Sequence, residues 1–510
     1  MIATVALVMS AAAPVAAQTK QQIRWCEDKD GATPDLQIGA CTAVIQSGKF
    51  KAKDLAAAFN NRCSAHLKKH DYDQAIADCS QAIRLDPNYI KGHGNRGLAY
   101  FEKKDYDHAL ADFNSLVRIN PKGADGFYYR GYAYDQKGDA KRAIADYTRA
   151  IKLNPKYYGA YLNRGTVYTH NRDYMRAIAD LSTAIKLNPK NAKAHYDRGL
   201  AYDKKGEPDR ALADYSAAIR LNPKFAYPYV NRGNIYDTRR DYDHAIADFD
   251  VAIRLAPNDP DPIFDRGNEY QNKGNYDRAI ADYSTAIRLN PKYAEAYVNR
   301  ANTYKTKKDY DRSIADYSRA LDIDRNSFAA RIGRGLAYYR KEEFSSALVD
   351  FDEAAPLDLS DPSPYFDKGL VHEKMKKFTL AAADYGEALK RRRDNPIILN
   401  ASCWTQAIAG DLKPAIADCN EALRLKPNYA DALDSRGFAY YKSGELDKAI
   451  ADFDAALKLA PKKAGSLYVR GRAKLQKGDA AEGKADIAAA KAIDDNIDVK
   501  YEDYGVKWLH

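Results

Sequence analysis

Residues 90–123 read IKGHGNRGLAYFEKKDYDHALADFNSLVRINPKG. Numbered from 1 to 34, this stretch has the small residue Gly97 at position 8, Tyr100 at 11, Tyr106 at 17, Ala109 at 20, Phe113 at 24 and Pro121 at 32. Offsets of three and four put these residues on single helical faces, with a polar break between two such runs. The pattern predicts two helices of roughly 14 residues joined by a tight turn. Proline ends the second, because it has no N–H to give the next turn.

The same beat runs along most of the chain. Arg-Gly or its nearest equivalent returns every 34 residues, from Cys63 through Gly97, Gly131 and Gly165 to Gly471, and the Asp of an Ala-Asp pair keeps step from Asp78 to Asp486. That makes thirteen copies without a gap. A fixed period in this range marks a solenoid of stacked supersecondary units.

The order small–Tyr–Ala–aromatic–Ala–Pro at this period resembles the tetratricopeptide repeat, over about residues 56 to 497. The resemblance implies an all-α, right-handed superhelical solenoid of tandem helix–turn–helix units. The organisation expected is a signal peptide over 1–17, a leading half-repeat over 18–55, the thirteen copies over 56–497 and a capping tail over 498–510. Such an array grows in one dimension and needs no large single core, so 510 residues read as one solenoid.

One departure is consistent. Where the family usually has Leu, position 7 is Arg in eleven copies: Arg62, Arg96, Arg130, Arg164, Arg198, Arg232, Arg266, Arg300, Arg334, Arg436 and Arg470, with Lys368 and Ser402 in the other two. The recurrent Asp lies at position 23. Pairs such as Arg96 with Asp112 and Arg232 with Asp248 are therefore expected to join the two helices of a copy, with bidentate geometry. The competing reading is a solvated pair worth about 0–1 kcal/mol.

The six cysteines occupy the same kind of place. Cys63 and Cys79 hold positions 8 and 24 of copy one, and Cys403 and Cys419 hold them in copy eleven. A double exchange that occurs together or not at all implies that the two positions touch, at a distance a disulfide can span. Cys26 precedes Cys41 by 15 residues, and QIGACTAVIQSG resembles the second-helix stretch AIADCSQAI, which suggests a third staple. Each bond would close a loop worth roughly 3 kcal/mol, and bonds of this kind persist in oxidising compartments. Read as thiols, these residues are simply small and buried. The spacing is not that of a zinc site.

The N-terminus fits the cysteines. An apolar run of about 16 residues ends in Val15-Ala16-Ala17, with the small residues a signal peptidase accepts and too short a length to span a bilayer. No basic residue precedes it. A periplasmic or secreted protein is expected, with no membrane span; the alternative reading, an Ala-rich tail without a basic lead, leaves a cytoplasmic location open.

The net charge of +10 comes from charges that alternate along the helices, which favours acidic partners mildly and argues against nucleic acid. The single basic run, Lys390 to Arg393, falls at a helix C-terminus, where cations complement the dipole. His66 and His70 share a helical spacing, but no carboxylate partner is marked. Neither a phosphate loop nor a nucleophile elbow is present. No catalytic, cofactor-binding or metal residue is expected, and an enzyme is the weakest reading.

By the resemblance, positions 2, 5, 6, 9 and 12 of the first helices face a groove that takes partner segments. The candidates are Asn61, Asn95, Asn163, Asn231 and Asn299, whose amides can both donate and accept, and Tyr128, Tyr129, Tyr132 and Tyr196, whose rings suit peptides or sugars. For Tyr128 and Tyr196, packing between neighbouring copies is an equal alternative. Copies eight to ten carry Arg325, Leu359 and Arg393 at the proline position, where a local change of curvature is expected. The function expected is a non-enzymatic scaffold for protein partners in the cell envelope. The alternative is a glycan-binding accessory of exopolysaccharide export.

Overall fold

A computed structural model describes residues 15–506 of the chain, with side-chain surroundings from Lys20 onward. Most of the expected signal peptide and the last four residues of the tail lie outside the described residues. Twenty-nine helices and no strand occur among those described.

Each copy is a helical hairpin. In copy two, helix A spans Ile90–Glu102 and helix B spans Tyr106–Ile119. The turn between them is built alike in all thirteen copies: position 15, from His70 and Lys104 to Gly478, is left-handed, yet it is glycine in only six. That conformation costs a residue with a side chain about 1 kcal/mol or more. The next residue helps offset it, since the Asp105 carboxylate accepts the His108 N–H and caps helix B. Asp71, Asp139, Asp173, Asp241, Asn275 and Asp309 do the same in their copies. At the far end, Asn120 leaves the helical region (φ −125°, ψ 75°) because Pro121 follows it.

Inside the hairpin, Phe113 lies flat on Gly97. A Cβ on Gly97 would stand 2.6 Å from the ring, and the ring is 1% exposed. Position 8 is small for this reason: the helices approach closely enough to bury an aromatic side chain, a gain of roughly 2–3 kcal/mol. Tyr215 over Gly199, Tyr283 over Gly267 and Phe351 over Gly335 repeat the contact. In copy thirteen Ile487 replaces the aromatic, and the backbones close further. There, Gly471 and Gly483 face each other so tightly that a Cβ on either would stand 2.7 Å from the other's carbonyl oxygen.

The chain divides into two compact units, residues 1–256 and 257–510. The first holds a leading hairpin and copies one to six. The leading segment, expected as a shortened half-repeat, is a complete pair of helices, Val15–Cys26 and Pro34–Gln46. Its first helix lacks the small–Tyr–Ala spacing, which is why it does not stand out in the sequence. The second unit holds copies seven to thirteen and a closing helix, Ile497–Glu502. In copy nine, helix B is Phe344–Ala354, 11 residues against 14 in copy two, and it stops ahead of Pro356. The division between units falls elsewhere, in a run holding Pro257, Pro260 and Pro262.

Candidate functional site

Arg96 joins three helices. Its guanidinium donates from Nε and Nη2 to the two carboxylate oxygens of Asp112, each at 2.8 Å, and from Nη1 to Ser80 Oγ of copy one at 3.0 Å. The first two bonds tie helix A to helix B; the third ties the copy to the one before it. Arg130 repeats the set with Asp146 and Asn114, Arg164 with Asp180 and Thr148, Arg232 with Asp248 and Ser216, and Arg436 with Asp452 and Asn420. The Asp112 side chain is only 4% exposed. Burial pushes its carboxyl up, but the bonds from Arg96 and His93 more than offset this and hold it below the usual range. The third bond is absent from the sequence reading, though its signal is present: position 25 is a small polar or acidic residue in nearly every copy, 16 residues before the next arginine.

The cysteines are bonded in three pairs, Cys26–Cys41, Cys63–Cys79 and Cys403–Cys419, with Cα separations of 4.7, 5.5 and 5.5 Å. In copies one and eleven, the disulfide occupies the space that the ring and the glycine fill elsewhere. His66 and His70 diverge, toward Asp71 and the Tyr72 hydroxyl. No cluster of three metal-ligating side chains occurs among the described residues. Lys390 and Arg391 both pair with Glu387, and Arg391 also stacks on Tyr365. No described helix is long and apolar enough to cross a membrane.

The candidate side chains on the helix A face are half-buried and largely engaged with the preceding copy. Asn95 donates to Asn60 Oδ1 at 3.0 Å, Asn163 to the Tyr128 hydroxyl at 3.2 Å, Asn231 to the Tyr196 hydroxyl at 3.3 Å and Asn299 to Asn268 Oδ1 at 2.8 Å. Tyr128 packs between copies three and four, its ring edge-on to Tyr157 and its hydroxyl over Gly159. Tyr196 packs against Phe225 in the same way. For these two tyrosines the geometry is that of packing between copies. Tyr129 stacks on Phe113 and Tyr132 on Phe101, centroids 5.7 and 4.7 Å apart. Asn61 lines a cavity of about 200 Å³ with Ile23, Val44 and Phe50. Further along this face, burial lifts the Asp367 carboxyl to about 7, with Lys305 pulling it down and Asp361 pushing it up.

In the second unit, part of this face is occupied by the chain itself. The closing helix Ile497–Glu502 places Tyr501 against Phe438 and Tyr468, and the residues after it place Tyr504 against Trp404 and Phe378. Lys376 pairs with Asp503 at 2.6 Å, and Lys442 Nζ donates to the Tyr504 carbonyl oxygen at 3.2 Å. Val506 is 1% exposed. Gly465 leaves room for the Tyr501 hydroxyl; a Cβ there would overlap it.

These hairpins, repeating every 34 residues, define an all-α repeat protein. Models described as tetratricopeptide repeat match residues 56–89, 128–192, 170–224, 196–260, 294–327, 366–430 and 430–463, and a TPR repeat model matches 97–138 and 267–308. The chain belongs to the tetratricopeptide-repeat family. Among solved structures, a MamA protein is 26% identical, covering 34% of this chain and 94% of its own, with a TM-score of 0.31. The APC/C hetero-tetramer Cut9–Hcn1 is 16% identical over 97% of each chain, with a TM-score of 0.39. YrrB, described as a TPR protein with an unusual peptide-binding site, is 23% identical over 37% of this chain and 95% of its own, with a TM-score of 0.32.

Proposed function

We propose that this protein is a non-enzymatic scaffold of the cell envelope that holds segments of partner proteins against its A helices. The observation that carries the reading is the tail of the chain. A short aromatic and acidic segment, Tyr501 to Val506, is seated on Trp404, Phe438, Lys376 and Lys442, so the face already takes a peptide of that chemistry. Aromatic anchors with a basic rim suit such segments. The three bonded cysteine pairs support an oxidising compartment, and peptide mass mapping of unreduced protein from its native cell tests that part.

Affinity capture from an envelope extract, run beside binding to soluble polysaccharide, tests the function. Partner proteins retained by the full chain and lost when Tyr132 and Trp404 are replaced by alanine would support the scaffold. Polysaccharide binding lost with Tyr132→Ala, while protein capture persists, would move the assignment to a glycan-export accessory. Capture unaffected by either replacement would place binding off this face.

A further inference from the structure

One copy lacks its clip. In copy eleven, position 7 is Ser402, and position 25 of the preceding copy is Gly386, so the arginine and the residue it reaches back to are missing together. A cleft of about 530 Å³ opens there, between helix B of copy ten and the hairpin of copy eleven. A Cβ built on Gly386 meets nothing within 4 Å.

The polar half of the clip is still in place. Asp418 holds position 23, where every arginine of the series finds its carboxylate. Ser402 Oγ and Gln406 Nε2 both donate to its Oδ2, at 2.7 and 3.1 Å, and no donor among the described residues reaches Oδ1. Gln406 Oε1, on the same wall, is buried without a hydrogen-bond partner. A carboxylate oxygen thus waits for N–H donors in a space that is shaped, in eleven other copies, around a guanidinium. Burial raises the Asp418 carboxyl above its ordinary value, and the bonds from Ser402 and Gln406 only partly oppose the rise. In copy two, where the arginine is present, the corresponding carboxyl is held low. Leu399 and Leu389 give the cleft apolar walls for a methylene stem. Arg393 and Lys390, the latter paired with Glu387, also line the cleft and oppose a cation, while Glu421, itself paired with Arg424, favours one. The cleft is stapled beneath by Cys403–Cys419, so the copy keeps its hairpin without the arginine.

We propose that this cleft is a guanidinium-binding site. The group enters from outside, as an arginine side chain of a partner protein or a free guanidinium compound, and pairs with Asp418 where arginine does so in cis elsewhere. The site is separate from the helix A face and does not depend on it.

The test uses the full chain with its disulfides intact. Saturation-transfer NMR with methylguanidinium, and calorimetry with N-acetyl-arginine amide and with an unstructured peptide carrying one arginine, measure binding; the lysine counterparts are the controls. Binding is expected for the guanidinium probes and at least tenfold weaker for lysine. Asp418→Asn is expected to weaken it at least tenfold, and Ser402→Arg to abolish it by filling the site in cis. A peptide at least tenfold tighter than the amide marks a protein arginine as the source, and equal affinity marks a small molecule. Independently, Ser402→Arg is expected to raise the melting temperature. No binding by the unaltered chain, binding retained in Ser402→Arg, or a lower melting temperature for that variant would overturn the proposal.

Discussion

Arg96 and Ser80, sixteen residues and one copy apart, are joined by a 3.0 Å hydrogen bond that makes the intrahairpin ion pair part of the contact between copies. In a repeat array, stability is a sum of terms within units and between neighbours, and here one guanidinium serves both.

Replacing Arg232 with leucine leaves the buried Asp248 carboxylate without its two donors and frees Ser216. The expected loss is about 2 kcal/mol, in the range for hydrogen bonds to a charged group. Ser216→Ala, which removes only the bond between copies, is expected to cost about 0.5–1 kcal/mol. Urea denaturation measures both. Equal stability of Arg232→Leu and the parent would reduce the clip to a solvated pair.

The cysteines of copy one should behave as a unit. Cys79→Phe alone breaks the disulfide, a loss of roughly 3 kcal/mol, and drives a ring into Cys63, where Gly97 shows the room such a ring needs. Adding Cys63→Gly recreates the arrangement of copy two and is expected to recover at least half of the loss. The coupling between the two changes, read from a double-mutant cycle, is the measurement.

Asp367 makes stability depend on pH. Its carboxyl sits at about 7 in the folded chain, above the ordinary aspartate range, chiefly because it is buried. The stability tied to its neutral form is therefore complete below about pH 4 and lost as pH rises through about 7. Asp367→Asn keeps the neutral form. It should be more stable than the parent at about pH 8, by roughly 2 kcal/mol after allowing for partial solvent contact, with the two curves meeting near about pH 4. A constant difference across that interval would exclude this role.

The tail should be displaceable. A chain ending at Asn496 is expected to bind a synthetic peptide of residues 497–510, while the full chain does not. In the shortened chain, Gly465→Leu, which intrudes on the space of the Tyr501 hydroxyl, should abolish binding of the peptide. Loss of the buried Ile497, Tyr501 and Val506 should also destabilise copies twelve and thirteen by about 3 kcal/mol or more, seen as faster hydrogen exchange. Failure of the shortened chain to bind would mean that the tail is only a cap.

Much of this was legible in the chain itself. The 34-residue beat determined the hairpins, because a helix repeats its faces every three or four residues and Gly97 and Phe113 can share a core only at one spacing. The joint cysteine exchanges pointed to a contact, because covalent partners must change together. The left-handed turn at Lys104 was hidden, since seven copies adopt it without glycine, five of them with an aspartate cap directly after it. Only the tertiary structure decided where the asparagines of the helix A face direct their amides, that the tail turns back onto Trp404, and that Ser402 and Gly386 border one empty space. Those relations join residues in different copies, whose distance depends on how hairpins stack, and stacking is set by the summed fit of many side chains that no single stretch of sequence contains.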